Sequence, residues 1–174
     1  MRPKVGRKRG RDPIETLRTL QALFTAYIGL FAASVVLNNL LDYGTNYTFV
    51  RHVMSMDTIF EDCRLKGRRI TASAAHHLAY VFIILLEAAT AVLCLWGAWV
   101  MWGARAAETA AFQAAKAVAL WGLGLGFTVW FAIFVIGAGQ WWCAWQSKEY
   151  SGQDATFRYY MAIGLVFLIV MQPG

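Results

Sequence analysis

The sequence predicts an all-α membrane protein in which four transmembrane helices form one bundle. Of its 174 residues, 59% are hydrophobic and 15% are charged, whereas soluble domains carry roughly 25% charged residues. Three apolar stretches exceed the ~18 residues that mark a membrane span, and a fourth is shorter. Because they lack the alternation of strands, and helices satisfy their own backbone in hydrocarbon, each is predicted to be a helix.

The chain is predicted to divide into a basic tail at 1–15 and a transmembrane domain at 16–174. The tail contributes much of the net charge of +6. We expect spans at about 17–41, 72–102, 112–139 and 157–172. The first apolar run is longer than the core of a signal peptide and ends in asparagines and an aspartate, which predicts an uncleaved span.

The basic tail also predicts the orientation of the chain, since the flank of the first span usually dominates topology. The N-terminus is therefore expected in the cytoplasm, and an even number of spans brings the C-terminus to the same side. The basic cluster Arg64–Arg69 in the first long loop argues against this orientation.

Two features predict how the helices and loops pack. In the loop after the first span, Phe49, Val50, Val53 and their neighbours have the spacing of a short interfacial helix on the outer side. In the third span, Gly122 and Gly126 form a GxxxG motif, whose small residues allow two helices to approach closely. The partner helix lies in the same chain or in another one.

A polar stripe is predicted on the second span. Glu87 is the only acid deep inside a span, and such residues are functional candidates because a charge in hydrocarbon is costly. Tyr80 and His76 precede it by close to whole helical turns, so the three share one face. The stripe indicates either a proton or cation path or ligand pocket, or a structural hydrogen bond between helices. Lys116 is expected to reach the surface at the inner end of span three, away from this stripe.

A second group of polar residues is predicted to converge on the outer face. Imidazole binds metals and haem iron, but adjacent His76 and His77 point about 100° apart on a helix. We therefore expect loop-to-helix hydrogen bonds, no metal and no cofactor, with an outer-face metal or haem site as the alternative. The group comprises Asn38, Asn39, Asp42, Asn46, His52, Asp57, His76, His77, Gln140, Gln146, Lys148 and Gln153.

Three runs of the sequence resemble a bacterial family of predicted small integral membrane proteins, a domain of unknown function. The resemblance covers nearly the whole chain after the basic tail. At Gln140 the family often has an acid, so a role that requires a carboxylate there is not expected. The resemblance implies four spans in the bacterial cytoplasmic (inner) membrane and no established activity. The runs are NNLLDY at Asn38–Tyr43, FVRHVMSMDT at Phe49–Thr58, and WQS with GQ and FR between Trp145 and Arg158.

The chain has none of the standard catalytic signatures, such as a Walker loop, HExxH or GxSxG, which predicts a non-enzymatic protein. Its scattered Cys63, Cys94 and Cys143 argue against a disulfide framework. The leading hypothesis is an accessory or stabilising subunit that docks against a larger membrane complex, for example an energy-converting one. Its expected partners are the lipid bilayer and a membrane protein or second copy, not nucleic acid. The alternative is a small channel, transporter or solute-binding protein that uses the His76, Tyr80 and Glu87 stripe.

Overall fold

The computed structural model describes residues 13–174, and over this range it is built of helices and turns without a strand. Four helical segments are long and apolar enough to cross a membrane, which confirms the predicted fold class. The basic tail lies almost wholly outside the described residues. The four segments are Pro13–Leu41, Ser73–Ala104, Thr109–Trp141 and Gln153–Met171.

The first span is α1 (Pro13–Leu41), and it leads almost directly into the short helix α2 (Tyr43–Ser55). Asp42 joins them and caps α2, because its carboxylate accepts a hydrogen bond from the Thr45 backbone N–H at 3.3 Å. The predicted interfacial helix therefore exists but begins at Tyr43, earlier than its apolar spacing indicates. It buries Val50 and Met54 against the next span.

The second and third spans pack closely along small residues. The second is α3 (Ser73–Ala104), and the third contains α4 (Thr109–Ala115), α5 (Ala117–Thr128) and a π-helix (Val129–Trp141). A Cβ atom on Gly122 would lie 2.8 Å from the Cys94 nitrogen, and one on Gly126 would lie 2.9 Å from Thr90. The GxxxG motif thus brings α5 against α3 of the same chain.

The bundle end opposite α2 is closed by buried polar side chains. The Arg18 guanidinium donates to the carbonyls of Arg105, Ala107 and Gly174 and to the Thr109 hydroxyl, at 2.6–3.2 Å. Carbonyls at helix ends lack partners within the helix, so they accept these bonds.

Lys116 belongs to the same closed end, and the prediction that it reaches the surface is wrong. Its side chain is 2% exposed, and its Nζ donates to the Gln172 carbonyl at 2.6 Å just beyond the last span, α6 (Gln153–Met171). Gln21 donates to the Ile169 and Gln172 carbonyls, at 2.8 and 3.0 Å. The unpaired carbonyls at the end of α6 explain why Lys116 folds inward.

Candidate functional site

A cavity of about 240 Å³ lies between α1, α2, α3, the π-helix and the start of α6. It is in the half of the bundle that α2 covers. Its lining combines one carboxyl group with amides, hydroxyls and aromatic rings: Val35, Asn38, Asn39, Asn46, Phe49, Val50, Tyr80, Ile83, Glu87, Trp130, Phe134, Thr156 and Tyr159.

A chain of hydrogen bonds leads from the surface of α2 to the carboxyl group in the cavity. Exposed Asn46 donates to the Asn39 Oδ1 at 2.7 Å, and buried Asn39 donates to the Glu87 Oε2 at 2.7 Å. The Tyr80 hydroxyl donates to the Asn39 carbonyl at 3.4 Å. Asn39 therefore joins three helices, since it bonds residues of α2 and α3 from the end of α1.

The carboxyl group of Glu87 is only partly satisfied by this chain. Glu87 is 2% exposed. Of its two carboxyl oxygens, only Oε2 has a hydrogen-bond partner among the described residues. Glu87 also lines the cavity, so Oε1 is available to a bound molecule. No lysine, arginine or histidine is among the residues that line the cavity. The free oxygen of Glu87 therefore offers an acceptor to a ligand that brings its own hydrogen-bond donor.

The predicted stripe is divided in the structure. Tyr80 and Glu87 line the cavity, two helical turns apart on one face of α3. His76 is buried on the same helix but does not line the cavity, because its Nε2 is bonded to the Ile70 carbonyl at 2.7 Å. Its Nδ1 has no partner among the described residues. His76 therefore ties the loop before α3 to its own helix.

The outer-face histidines have separate partners. His52 pairs with Asp57 at 2.9 Å and stacks on Tyr150 at 4.3 Å. His77 stacks on Tyr47 at 4.1 Å, and its Nδ1 is 2.9 Å from the Tyr43 hydroxyl. The structure thus does not bring the three imidazoles to one point.

The remaining predicted residues are also dispersed over this end of the bundle. Gln146 accepts a hydrogen bond from the Phe60 N–H at 3.3 Å, while Gln140 is exposed at the end of the π-helix. Over residues 13–174, no three His, Cys, Asp or Glu side chains are grouped closely enough to hold a metal ion. Of the predicted outer-face group, Asn38, Asn39 and Asn46 are the members that line the cavity.

The aromatic wall of the cavity is not apparent from sequence patterns. Trp130 and Phe134 project from the π-helix, and Thr156 and Tyr159 from the first turns of α6. A π-helix has a wider turn than an α-helix and is frequent at functional sites. Gln153 donates to the Phe134 carbonyl at 3.2 Å, which fixes the start of α6 against this wall.

Comparison with known proteins agrees with this architecture. The family model described as "Predicted small integral membrane protein (DUF2165)" matches residues 17–173. No curated protein and no solved structure matches the chain. The chain belongs to this family of predicted small integral membrane proteins, which confirms the family predicted from the NNLLDY and FVRHVMSMDT runs.

Proposed function

Starting from membership in this family, we propose that the protein binds a small organic cation in the cavity beneath α2. The observation that carries the proposal is the Glu87 carboxyl group, which has one oxygen bonded to Asn39 and the other available to the cavity. An ammonium group is a hydrogen-bond donor without acceptors and matches such a carboxylate. Binding would also offset the cost of a charge held away from water.

The walls of the cavity favour the same ligand class. Five aromatic side chains line it, and the faces of aromatic rings attract cations. They are Phe49, Tyr80, Trp130, Phe134 and Tyr159. Because none of the lining residues is cationic and one carries a carboxyl group, the cavity offers an anion no oppositely charged partner. The volume of about 240 Å³ is below the ~300–1,000 Å³ of sites for drug-sized ligands. Short alkyl amines are therefore the expected ligands.

The closed end of the bundle supports binding rather than conduction. Arg18, Gln21 and Lys116 fill the end opposite α2 and bond helix-end carbonyls there. A continuous path would have to pass the buried basic side chains Arg18 and Lys116, which repel a cation. A transport role would additionally require uptake of the amine into proteoliposomes that is lost on Glu87→Gln.

Calorimetric titration with methylamine, ethylamine and propylamine tests the proposal on protein in lipid nanodiscs. Glu87→Gln removes the charge, but its amide oxygen still accepts the Asn39 bond. We expect this variant to bind the best amine about 10- to 100-fold more weakly, since a charge-assisted hydrogen bond contributes ~1.5–3 kcal/mol.

The matched control is Glu108→Gln, which removes the same charge outside the residues that line the cavity. It is expected to bind as the unsubstituted protein does. Failure of all three amines to bind, or equal affinity of both variants, would overturn the proposal. We propose that the protein binds the cation and does not catalyse a reaction of it.

We further propose that the protein lies in the bacterial cytoplasmic (inner) membrane with both termini in the cytoplasm. Helix α1 begins at the end of the bundle that holds buried Arg18 and Lys116. The basic tail precedes α1 in the sequence, which supports this orientation. Green fluorescent protein fused to the C-terminus should fluoresce, because it folds in the cytoplasm. An alkaline phosphatase fusion at the same place that is active instead would reverse the orientation.

A second candidate function is that of an accessory subunit. The observation that favours it is an almost wholly apolar groove of about 400 Å³ between α5 and α6, which includes Gly124 and Gly164. A transmembrane helix of a partner is the expected occupant, because glycines allow close approach. The GxxxG pair Gly122 and Gly126 does not contribute, since it packs inside the chain.

Mass spectrometry of proteins that co-purify in mild detergent with the N-terminally tagged protein tests this role. A stoichiometric membrane partner that is lost on Gly164→Leu, but retained on Gly103→Leu, would support it. Gly103 is the matched control because a Cβ atom there would have no neighbouring atom within 4 Å. Recovery of the protein alone would count against the accessory role and leave cation binding as the proposed function.

A further inference from the structure

Two cysteines that are distant in the chain lie together at the α2 end of the bundle. Cys63 follows α2, and Cys143 follows the π-helix. Both pack in one small apolar cluster with Met56, Ile59 and Trp142. The Cys143 thiol donates to the Gln140 carbonyl at 3.7 Å, and half-buried Cys63 packs against the buried members of the cluster, which include Cys143. Sequence spacing alone argues against a disulfide framework, but this contact depends on the folded chain.

We propose that Cys63 and Cys143 form an intramolecular disulfide that joins the loop after α2 to the end of the third span. Both are thiols in the structure, and both belong to one packed cluster, so the bond requires their sulfurs to come within about 2 Å of each other inside that cluster. Disulfides form and persist on the oxidising side of the cytoplasmic membrane. The α2 end faces that side in the orientation proposed above.

The exposure of the two cysteines sets the order of the reaction. Cys63 is half-buried and Cys143 is 2% exposed, so an oxidant of the protein-disulfide class meets Cys63 first. The Cys63 thiolate attacks the oxidant disulfide, forms a mixed disulfide and releases one thiol of the oxidant. The Cys143 thiolate then attacks the Cys63 sulfur and releases the second thiol. The cysteines lose two protons and two electrons, and the oxidant gains both.

The surroundings of Cys143 agree with this order. Burial and the neighbouring Cys63 thiol raise the pKa of Cys143, while the positive charge of Arg68 acts in the opposite direction. Arg68 is held nearby, because its guanidinium lies 4.4 Å from the centre of the Trp141 ring and donates to the Trp141 carbonyl. A thiol with a raised pKa is a poor first nucleophile at neutral pH. It resolves a mixed disulfide that is already beside it.

Counting free thiols in native membranes tests the proposal. Cells are quenched in acid to prevent exchange, denatured, and labelled with a 5 kDa maleimide-polyethylene glycol with or without prior reduction. The chain has three cysteines. We expect one adduct without reduction, at Cys94, and three after it. The Cys94→Ser variant should carry no adduct without reduction and two adducts after reduction.

Variants that lack one cysteine of the pair show whether the bond joins these two residues. Cys63→Ser and Cys143→Ser each leave two cysteines and should carry two adducts with or without reduction. Three adducts on the unreduced natural chain would overturn the proposal. A dimer on a non-reducing gel that disappears on Cys63→Ser would also overturn it, because the bond would then join two chains.

Discussion

Replacement of Asn39 by alanine tests the central contact of the site. The side chain of Asn39 donates to the Glu87 carboxyl group and accepts from Asn46, each at 2.7 Å. Asn39→Ala removes both bonds at once and leaves Glu87 buried without a donor. The Tyr80 bond is retained, since it reaches the backbone carbonyl of residue 39. The variant should therefore be less stable without a change of fold.

The expected loss follows from these two bonds. Side-chain hydrogen bonds between membrane helices average ~0.6 kcal/mol and reach about 1.7 kcal/mol, because the unfolded protein in the membrane also finds partners. Two such bonds correspond to about 1–3 kcal/mol of unfolding free energy. The upper part of this range is expected, because a buried carboxyl group left without its donor costs more than the bond itself contributes.

Reversible unfolding by dodecyl sulfate in mixed micelles measures this difference. The matched control is Asn38→Ala, the same change at the preceding residue, whose side chain is exposed. Its cost should remain within ~0.5 kcal/mol. A double-mutant cycle of Asn39→Ala with Glu87→Ala, each of which removes the bond between the two side chains, should give a coupling energy of about 0.5 kcal/mol or more. Equal stability of the two alanine variants, or no coupling, would refute the assignment of Asn39 as the link between helices.

Two further predictions concern packing and the closed end. Gly97→Ala should cost about 1–3 kcal/mol by overpacking, because its Cβ would lie 2.4 Å from the Ala119 nitrogen. Gly103→Ala has open space around its Cβ and should be neutral or slightly stabilising. Equal effects of the two variants on unfolding in dodecyl sulfate would contradict the α3–α5 packing. Arg18→Gln should cost more than about 2 kcal/mol, since it leaves helix-end carbonyls without their charged donor. Arg105→Gln should have little effect by the same measurement, because the Arg105 guanidinium bonds a carbonyl of its own helix.

Much of the fold was predictable because a lipid bilayer restricts the backbone structures that can span it. An apolar run of span length has one way to satisfy its backbone, which is why the four spans and the family follow from the sequence. Their limits were less accurate, since the last span begins at Gln153 instead of 157 and the third extends over Thr109–Trp141. Polar residues at helix ends contribute to the helix although they add little to hydropathy.

Less of the candidate site was predictable. Helical periodicity places Tyr80 and Glu87 on one face, and both do line the cavity. It also places His76 on that face, but the histidine bonds the Ile70 carbonyl instead. Periodicity describes directions within one helix and contains no information on which loop folds back over its end.

The sequence by itself determined that this chain is a helical membrane protein with a single carboxyl group deep in a span, because hydropathy and helical period are local properties. The tertiary structure decided what that carboxyl group meets. The rotation of α1 brings Asn39 to Glu87, and the course of the loops brings Cys63 into one cluster with Cys143. Such contacts join distant parts of the chain, and they depend on how whole helices pack rather than on any local pattern.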